Sequence, residues 1–128
     1  MRNGDRMKKV LIVDDEKDIR HIFEEIFRHE LEFDSVTFAA DGLEAYTECS
    51  LQKFDIITLD HHMPFLQGAE FLTALRNKPG INQFTPVIMV SAYLPELPET
   101  IKTIENTFFI DKPVDFTRLS RYVNMAVK

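Results

Sequence analysis

Cysteine is all but missing. Cys49 is the single cysteine among 128 residues, which excludes an internal disulfide and a thiolate zinc site. On the inner face of a helical pattern it reads as a small core residue. Long apolar runs are missing as well. No segment reaches the ~20 unbroken apolar residues that a membrane-spanning helix needs. The polar, basic start is followed by only the four apolar residues Val10 to Val13, too few for a signal peptide. The expected location is therefore cytoplasmic, with no membrane contact. A basic excess is missing too: Lys+Arg number 15 against 21 Asp+Glu, a formal net charge of −6. The densest basic cluster, Arg2, Arg6, Lys8 and Lys9, reads as a solvated arm before the first strand. The electrostatic footprint of a nucleic-acid binder is absent. There is no internal repeat, low-complexity tract or linker, and this length holds one domain rather than two.

What the chain does have is alternation. Val10-Leu11-Ile12-Val13 reads as a buried strand. Ile19, Ile22, Phe23, Ile26 and Phe27 then recur at helical spacing, with Asp14 or Asp15 placed to cap the first turn. A weaker strand follows over Ser35 to Ala39. Asp41-Gly42 turns into a short helix with Ala45, Tyr46 and Cys49 inward. Phe54 to Leu59 is a strand ending at Asp60. Gly68 to Asn77 is helical, with Phe71, Leu72 and Leu75 inward, and Asn77-Lys78-Pro79-Gly80 stops it. Pro86 to Val90 is a fourth strand, Leu97 to Ile104 a helix crowded by Pro95 and Pro98, and Phe108 to Ile110 a short fifth strand. Phe116, Leu119, Val123, Ala126 and Val127 form the last helix. Five strands alternating with five helices predict an α/β fold, a doubly wound parallel sheet covered on both faces.

Ligands of such sheets sit at the carboxyl ends of the strands. The residues there are Asp14 and Asp15, Asp60, Ser91 and Lys112. Three clustered carboxylates repel one another until a cation or proton neutralises them. Hard oxygen donors with room for water suit Mg²⁺. A hydroxyl and an ammonium beside them suit a phosphoryl group, with a central carboxylate as nucleophile. The stretch LDHHMP (Leu59 to Pro64) adds two imidazoles and so raises the alternative of a histidine metal site. Adjacent side chains are expected to diverge, and the oxygen-rich set favours Mg²⁺ over an imidazole-preferring metal. His61 accordingly reads as incidental, and His21 and His29 as surface residues.

The motifs LIVDDE, ADGLEA, DIITLDHHMPFLQG, TPVIMVSA and FFIDKP run in order from about residue 8 to the C-terminus. In this the chain resembles the receiver domains of two-component response regulators. The resemblance implies a flavodoxin-like (βα)5 fold with strand order 2-1-3-4-5. The expected organisation is an arm over 1–7 and a receiver over 8–128 with no output domain, either working alone as chemotaxis-type receivers do or forming one domain of a longer protein. Asp60 would be the phosphoacceptor. Asp15 and Asp60 would bind Mg²⁺ directly, with Mn²⁺ as a substitute, Asp14 helping through water and the backbone carbonyl of His62 completing the set. Ser91 and Lys112 would contact the phosphoryl group, Ser91 and Phe109 would switch, and the Lys112-Pro113 peptide would be cis. His62 and Tyr93 occupy the flanking positions that tune the lifetime of the phosphorylated state.

The implied partners are a sensor histidine kinase or histidine phosphotransfer protein, and a downstream protein target. The implied state is a monomer or a weak phosphorylation-dependent dimer. The domain would be no enzyme beyond its own phosphoryl transfer and dephosphorylation. Five residues depart from the family pattern: Ser91 stands for Thr, Phe109 for Tyr, Gln67 for Asp, and Glu105-Asn106 for Gly-Ala. Phe109 has no phenolic hydroxyl to offer a partner. Two other readings compete. A phosphatase with an Asp nucleophile wants a D-x-D pair after the first strand, where Asp14-Asp15-Glu16 stands. A degenerate receiver, used only for binding, would have no need of the intact acids.

Overall fold

Apolar runs that are covered on both sides become strands. In the computed structural model, which describes residues 7–63 and 66–127, these are β1 (Lys9–Val13), β2 (Ser35–Ala39), β3 (Ile56–Asp60), β4 (Val87–Ser91) and β5 (Thr107–Asp111). They pair in parallel in the order β2-β1-β3-β4-β5. Arg2 and Arg6 of the basic arm and Pro64 of LDHHMP lie outside the described residues. The helices are α1 (Lys17–Glu25), α2 (Gly42–Leu51), α3 (Gly68–Asn77), α4 (Glu99–Lys102) and α5 (Phe116–Ala126). None is long and apolar enough to cross a membrane.

The pleat sorts the side chains by parity. Odd-numbered Leu11, Val13, Ile57, Leu59, Val87 and Met89 pack with Cys49, Phe71, Leu72, Leu97 and Ile101, under α2, α3 and α4. Even-numbered Val10, Ile12, Ile56, Ile88, Val90 and Ile110 pack with Phe23, Phe27, Leu119 and Val123, under α1 and α5. Cys49 is buried, and burial pushes its thiol up to about 12, so it is inert as a nucleophile.

Several local expectations are corrected. Neither Asp14 nor Asp15 caps α1. Glu16 is the N-cap, and its backbone N–H donates to Asp14 Oδ1 at 2.9 Å in a local turn. Ile22 is exposed rather than inward. After Glu25 the helix widens into a π turn over Ile26–Glu30, which carries Phe27 into full burial against Phe33, edge to face at 5.0 Å. Lys9 opens β1, while the Lys8 N–H donates to Asp34 and its ammonium lies 4.9 Å from the Phe33 ring centre; these lysines belong to the fold, not to a solvated arm. The helix expected over Leu97 to Ile104 is one turn, α4, preceded by a 3-10 turn at Leu94–Glu96. Pro95 and Pro98 lack the N–H donors a continuous helix needs there. Val127 caps α5 rather than continuing it.

The amino end of the sheet is tied by a saturated polar network. Buried Asn82 donates to the carbonyls of Cys49 (2.8 Å) and Gln52 (2.7 Å), and its Oδ1 accepts from Phe54 N and Thr85 Oγ1, both at 2.9 Å. Arg76 donates to the carbonyls of Gln83, Glu105 and Asn106. Asn106 stands at φ 54°, a left-handed conformation that Asn tolerates better than most residues. The Glu105-Asn106 departure is thus accommodated by conformation and by Arg76.

Candidate functional site

Asp14 follows β1, Asp60 and Ser91 are the last residues of β3 and β4, and Lys112 follows β5. Asp14, Asp60 and Ser91 are buried, Asp15 is exposed, and Lys112 is intermediate. Ligand oxygens of Asp14, Asp15 and Asp60 lie within 4.8 Å of one another. Lys112 Nζ is 2.9 Å from Asp60 Oδ1. That oxygen is fully buried and has no hydrogen bond in addition to this ion pair among the described residues. Burial works against the charge on Lys112, but the contact with Asp60 and the nearby Asp14 and Glu16 outweigh it and hold its pKa above the ordinary lysine value. Asp14 is pushed from 3.8 to about 6, first by burial and also by the Asp60 and Asp15 charges, against the Glu16 N–H that lowers it. An under-neutralised, all-oxygen donor set of this kind fits a hard divalent cation such as Mg²⁺.

Two local features hold this edge in place. Arg20 Nη1 donates to the Asp14 carbonyl at 2.7 Å, pinning the β1–α1 turn. Gly68 lets α3 approach the end of β3: a Cβ there would stand 2.8 Å from the Asp60 carbonyl oxygen and 2.8 Å from His61 Cα. The Lys112-Pro113 peptide is cis. Ser91 Oγ accepts from Tyr93 N at 3.2 Å, and Phe109 is half-buried on the odd-numbered side, packed against the cluster that includes Leu97 and Ile101. The Tyr93 side chain is exposed.

The histidines correct the expectation of divergence. The rings of His61 and His62 lie 4.8 Å apart, and both face Glu96. His62 Nε2 is 2.6 Å from Glu96 Oε1 and His61 Nε2 is 4.0 Å from it. His61 is not incidental: it is buried, and its Nδ1 accepts from the Ala69 N–H at 3.3 Å, satisfying a donor at the start of α3. Burial, then His62, lowers its pKa, and with Nδ1 accepting, the neutral ring carries its proton on Nε2, toward the carboxylate. A metal-bound imidazole keeps that second proton for an acceptor, and here the second nitrogen faces a donor. The cluster is therefore a set of donors gathered on Glu96. Sequence reasoning missed Glu96 because it lies 34 residues from His62 in a loop without a motif.

The response regulator receiver domain model matches residues 10–124. A protein-glutamate methylesterase/protein-glutamine glutaminase of Thermotoga maritima is 38% identical over 112 residues, 85% of this chain and 31% of that protein. The chain thus spans under a third of that relative. The chemotaxis protein CheY4 of Vibrio cholerae superposes with a TM-score of 0.80 at 30% identity, covering 95% of this chain and 100% of that one. The response regulator TrrA of Thermotoga maritima, solved in complex with Mg²⁺ and BeF, gives a TM-score of 0.80 at 25% identity, covering 94% and 100%. The chain belongs to the response regulator receiver domain family. Its parallel sheet in the order 2-1-3-4-5 is the family's fold, as the sequence motifs implied.

Proposed function

We propose that the chain is a phosphorylation-driven switch in two-component signalling, with Asp60 as the phosphoacceptor. The observation that carries this reading is the buried Asp60 carboxylate, paired with Lys112 at 2.9 Å and set beside two further carboxylates. Asp15 and Asp60 would hold Mg²⁺, or Mn²⁺ in its place, with the His62 carbonyl, and Asp14 would assist through water. Bound there, the ion supplies positive charge to the transferring phosphoryl oxygens. An Asp60 oxygen attacks phosphorus, the P–N bond to a donor histidine breaks, and that nitrogen recovers a proton. Lys112 neutralises the phosphoryl oxygens, and the Ser91 hydroxyl turns to donate to one of them. Phe109 follows inward, and the surface around α4 and β5 changes for a downstream protein target.

The donor is a sensor histidine kinase or a histidine phosphotransfer protein. A cavity of about 310 Å³ beside the acids is lined by Ile19, Ile22, Phe23, Val114 and Phe116 along with Asp14 and Lys112. Its apolar walls suit an amphipathic helix that presents a phosphohistidine. The receiver is a monomer or a weak dimer formed on phosphorylation. It is not an enzyme beyond its own transfer and dephosphorylation. With Mg²⁺ and acetyl phosphate, the chain forms one acid-stable, base-labile adduct that Asp60→Asn abolishes. Multiple turnover of a phosphate ester would instead mark a phosphatase, and no adduct a binding module.

His62 and Tyr93 flank the acceptor and lengthen the phosphorylated state by restricting attacking water. Timed dephosphorylation of His62→Asn and Tyr93→Ala then shows faster decay than the parent, and equal decay in both sinks this assignment.

A further inference from the structure

Ser91 is fully buried, and its hydroxyl already has a partner. Ser91 Oγ lies 3.4 Å from Glu96 Oε1, as donor to it. The same carboxylate oxygen takes His62 Nε2 at 2.6 Å and faces His61 Nε2 at 4.0 Å. A serine hydroxyl has one proton to donate. It therefore serves Glu96 or a phosphoryl oxygen, and not both. We propose that Glu96 is a built-in competitor for Ser91: its carboxylate occupies the hydroxyl until a phosphoryl group on Asp60 takes it over. This rests on the reading of Asp60 and Ser91 given above.

The carboxylate is positioned rather than merely near. Glu96 ends a 3-10 turn closed by Glu96 N to Tyr93 O (3.1 Å) and Leu97 N to Leu94 O (3.0 Å). Leu97, next in sequence, is 3% exposed and anchors the turn in the core. Leu94 N donates to Asp111 Oδ1 at 3.3 Å, tying the turn to the end of β5. The contacts of Glu96 also differ in strength. The 2.6 Å contact to His62 is short, while 3.4 Å to Ser91 is near the limit of a hydrogen bond. The serine contact is the one that yields first. A phosphoryl group brings negative charge toward a second anion, and like charges at short range repel. The takeover of Ser91 and the retreat of Glu96 are then one event. Glu96 is a positioning residue: it acts on the transfer through Ser91.

The test uses the whole chain with Mg²⁺ and beryllofluoride as phosphoryl analogue, with affinity read by calorimetry. Glu96→Ala binds beryllofluoride about tenfold more tightly than the parent, and Glu96→Gln, which keeps an acceptor but loses the charge, about threefold. In a Ser91→Ala background both gains shrink to what relief of charge repulsion alone supplies, because no hydroxyl remains to be released. A loop that merely held shape would shift affinity equally in the two backgrounds. Equal shifts, or no gain in the Ser91 background, overturn the proposal while leaving the acceptor reading standing. Failure of the parent to bind beryllofluoride, or equal binding by Asp60→Asn, overturns the acceptor reading and this proposal with it.

Discussion

The two ends of this sheet are built on opposite terms. At the amino end, both donor positions and both acceptor positions of the buried Asn82 side chain are taken, at 2.7 to 2.9 Å. At the carboxyl end, Asp60 Oδ1 relies on one ion pair, and one pleat below it, at mid-strand, Thr58 Oγ1 is buried without a hydrogen bond among the described residues. Asp14 is buried beside like charges. A satisfied buried network stabilises a fold and fixes its shape. An under-satisfied one costs stability and leaves atoms ready for a ligand. The amino end secures the scaffold, and the carboxyl end holds groups whose partners arrive from outside.

Four substitutions test that contrast. Asp60→Asn has the largest effect: the phosphoryl adduct formed with Mg²⁺ and acetyl phosphate, followed by mass spectrometry, disappears. Asn82→Ala comes next. It strands Phe54 N and two carbonyls and takes one partner from Thr85 Oγ1, and urea unfolding should show a loss of about 3 kcal/mol while the adduct still forms in the folded fraction. Asp14→Asn goes the other way. A folded-state carboxyl raised from 3.8 to about 6 disfavours the charged form, so its cost is absent near pH 4 and complete above about 6. The variant should gain about 2 kcal/mol at neutral pH, show no gain near pH 4, and bind Mg²⁺ more weakly by calorimetry. Thr58→Val has the smallest effect, a gain of about 1 kcal/mol in the same unfolding assay, because it removes an unpartnered hydroxyl without changing side-chain shape. A loss in Asp14→Asn or Thr58→Val would break the contrast.

Much of this was legible in the chain. Runs such as VLIV and VIMV mark strands covered on both faces, and the acids at their ends follow from the alternation. Departures arose where long-range contacts outrank local pattern. The spacing of Leu97 and Ile101 suggests one helix, yet both residues reach the core from separate short turns divided by Pro98. His61 and His62 diverge only if the chain stays extended; the chain leaves β3 at Asp60, and both rings close on a carboxylate 34 residues beyond His62. Capping of α1 by Asp14 failed because its Oδ1 serves the turn that starts the helix.

The parity of the strands carries a further consequence. Counting on from the strand cores, Asp14, Asp60 and Lys112 continue the even-numbered rows, under α1 and α5. Ser91 and Phe109 belong to the odd-numbered rows, under α2, α3 and α4. The acids and Lys112 therefore lie on the opposite side of one layer of backbone from Ser91 and Phe109, the two sides meeting where Asp60 and Ser91 end neighbouring strands. Under the proposed function, a donor reading the even side and a target reading the odd side have separate surfaces on which to vary. Specificity for one partner is then free to change without rewriting recognition of the other.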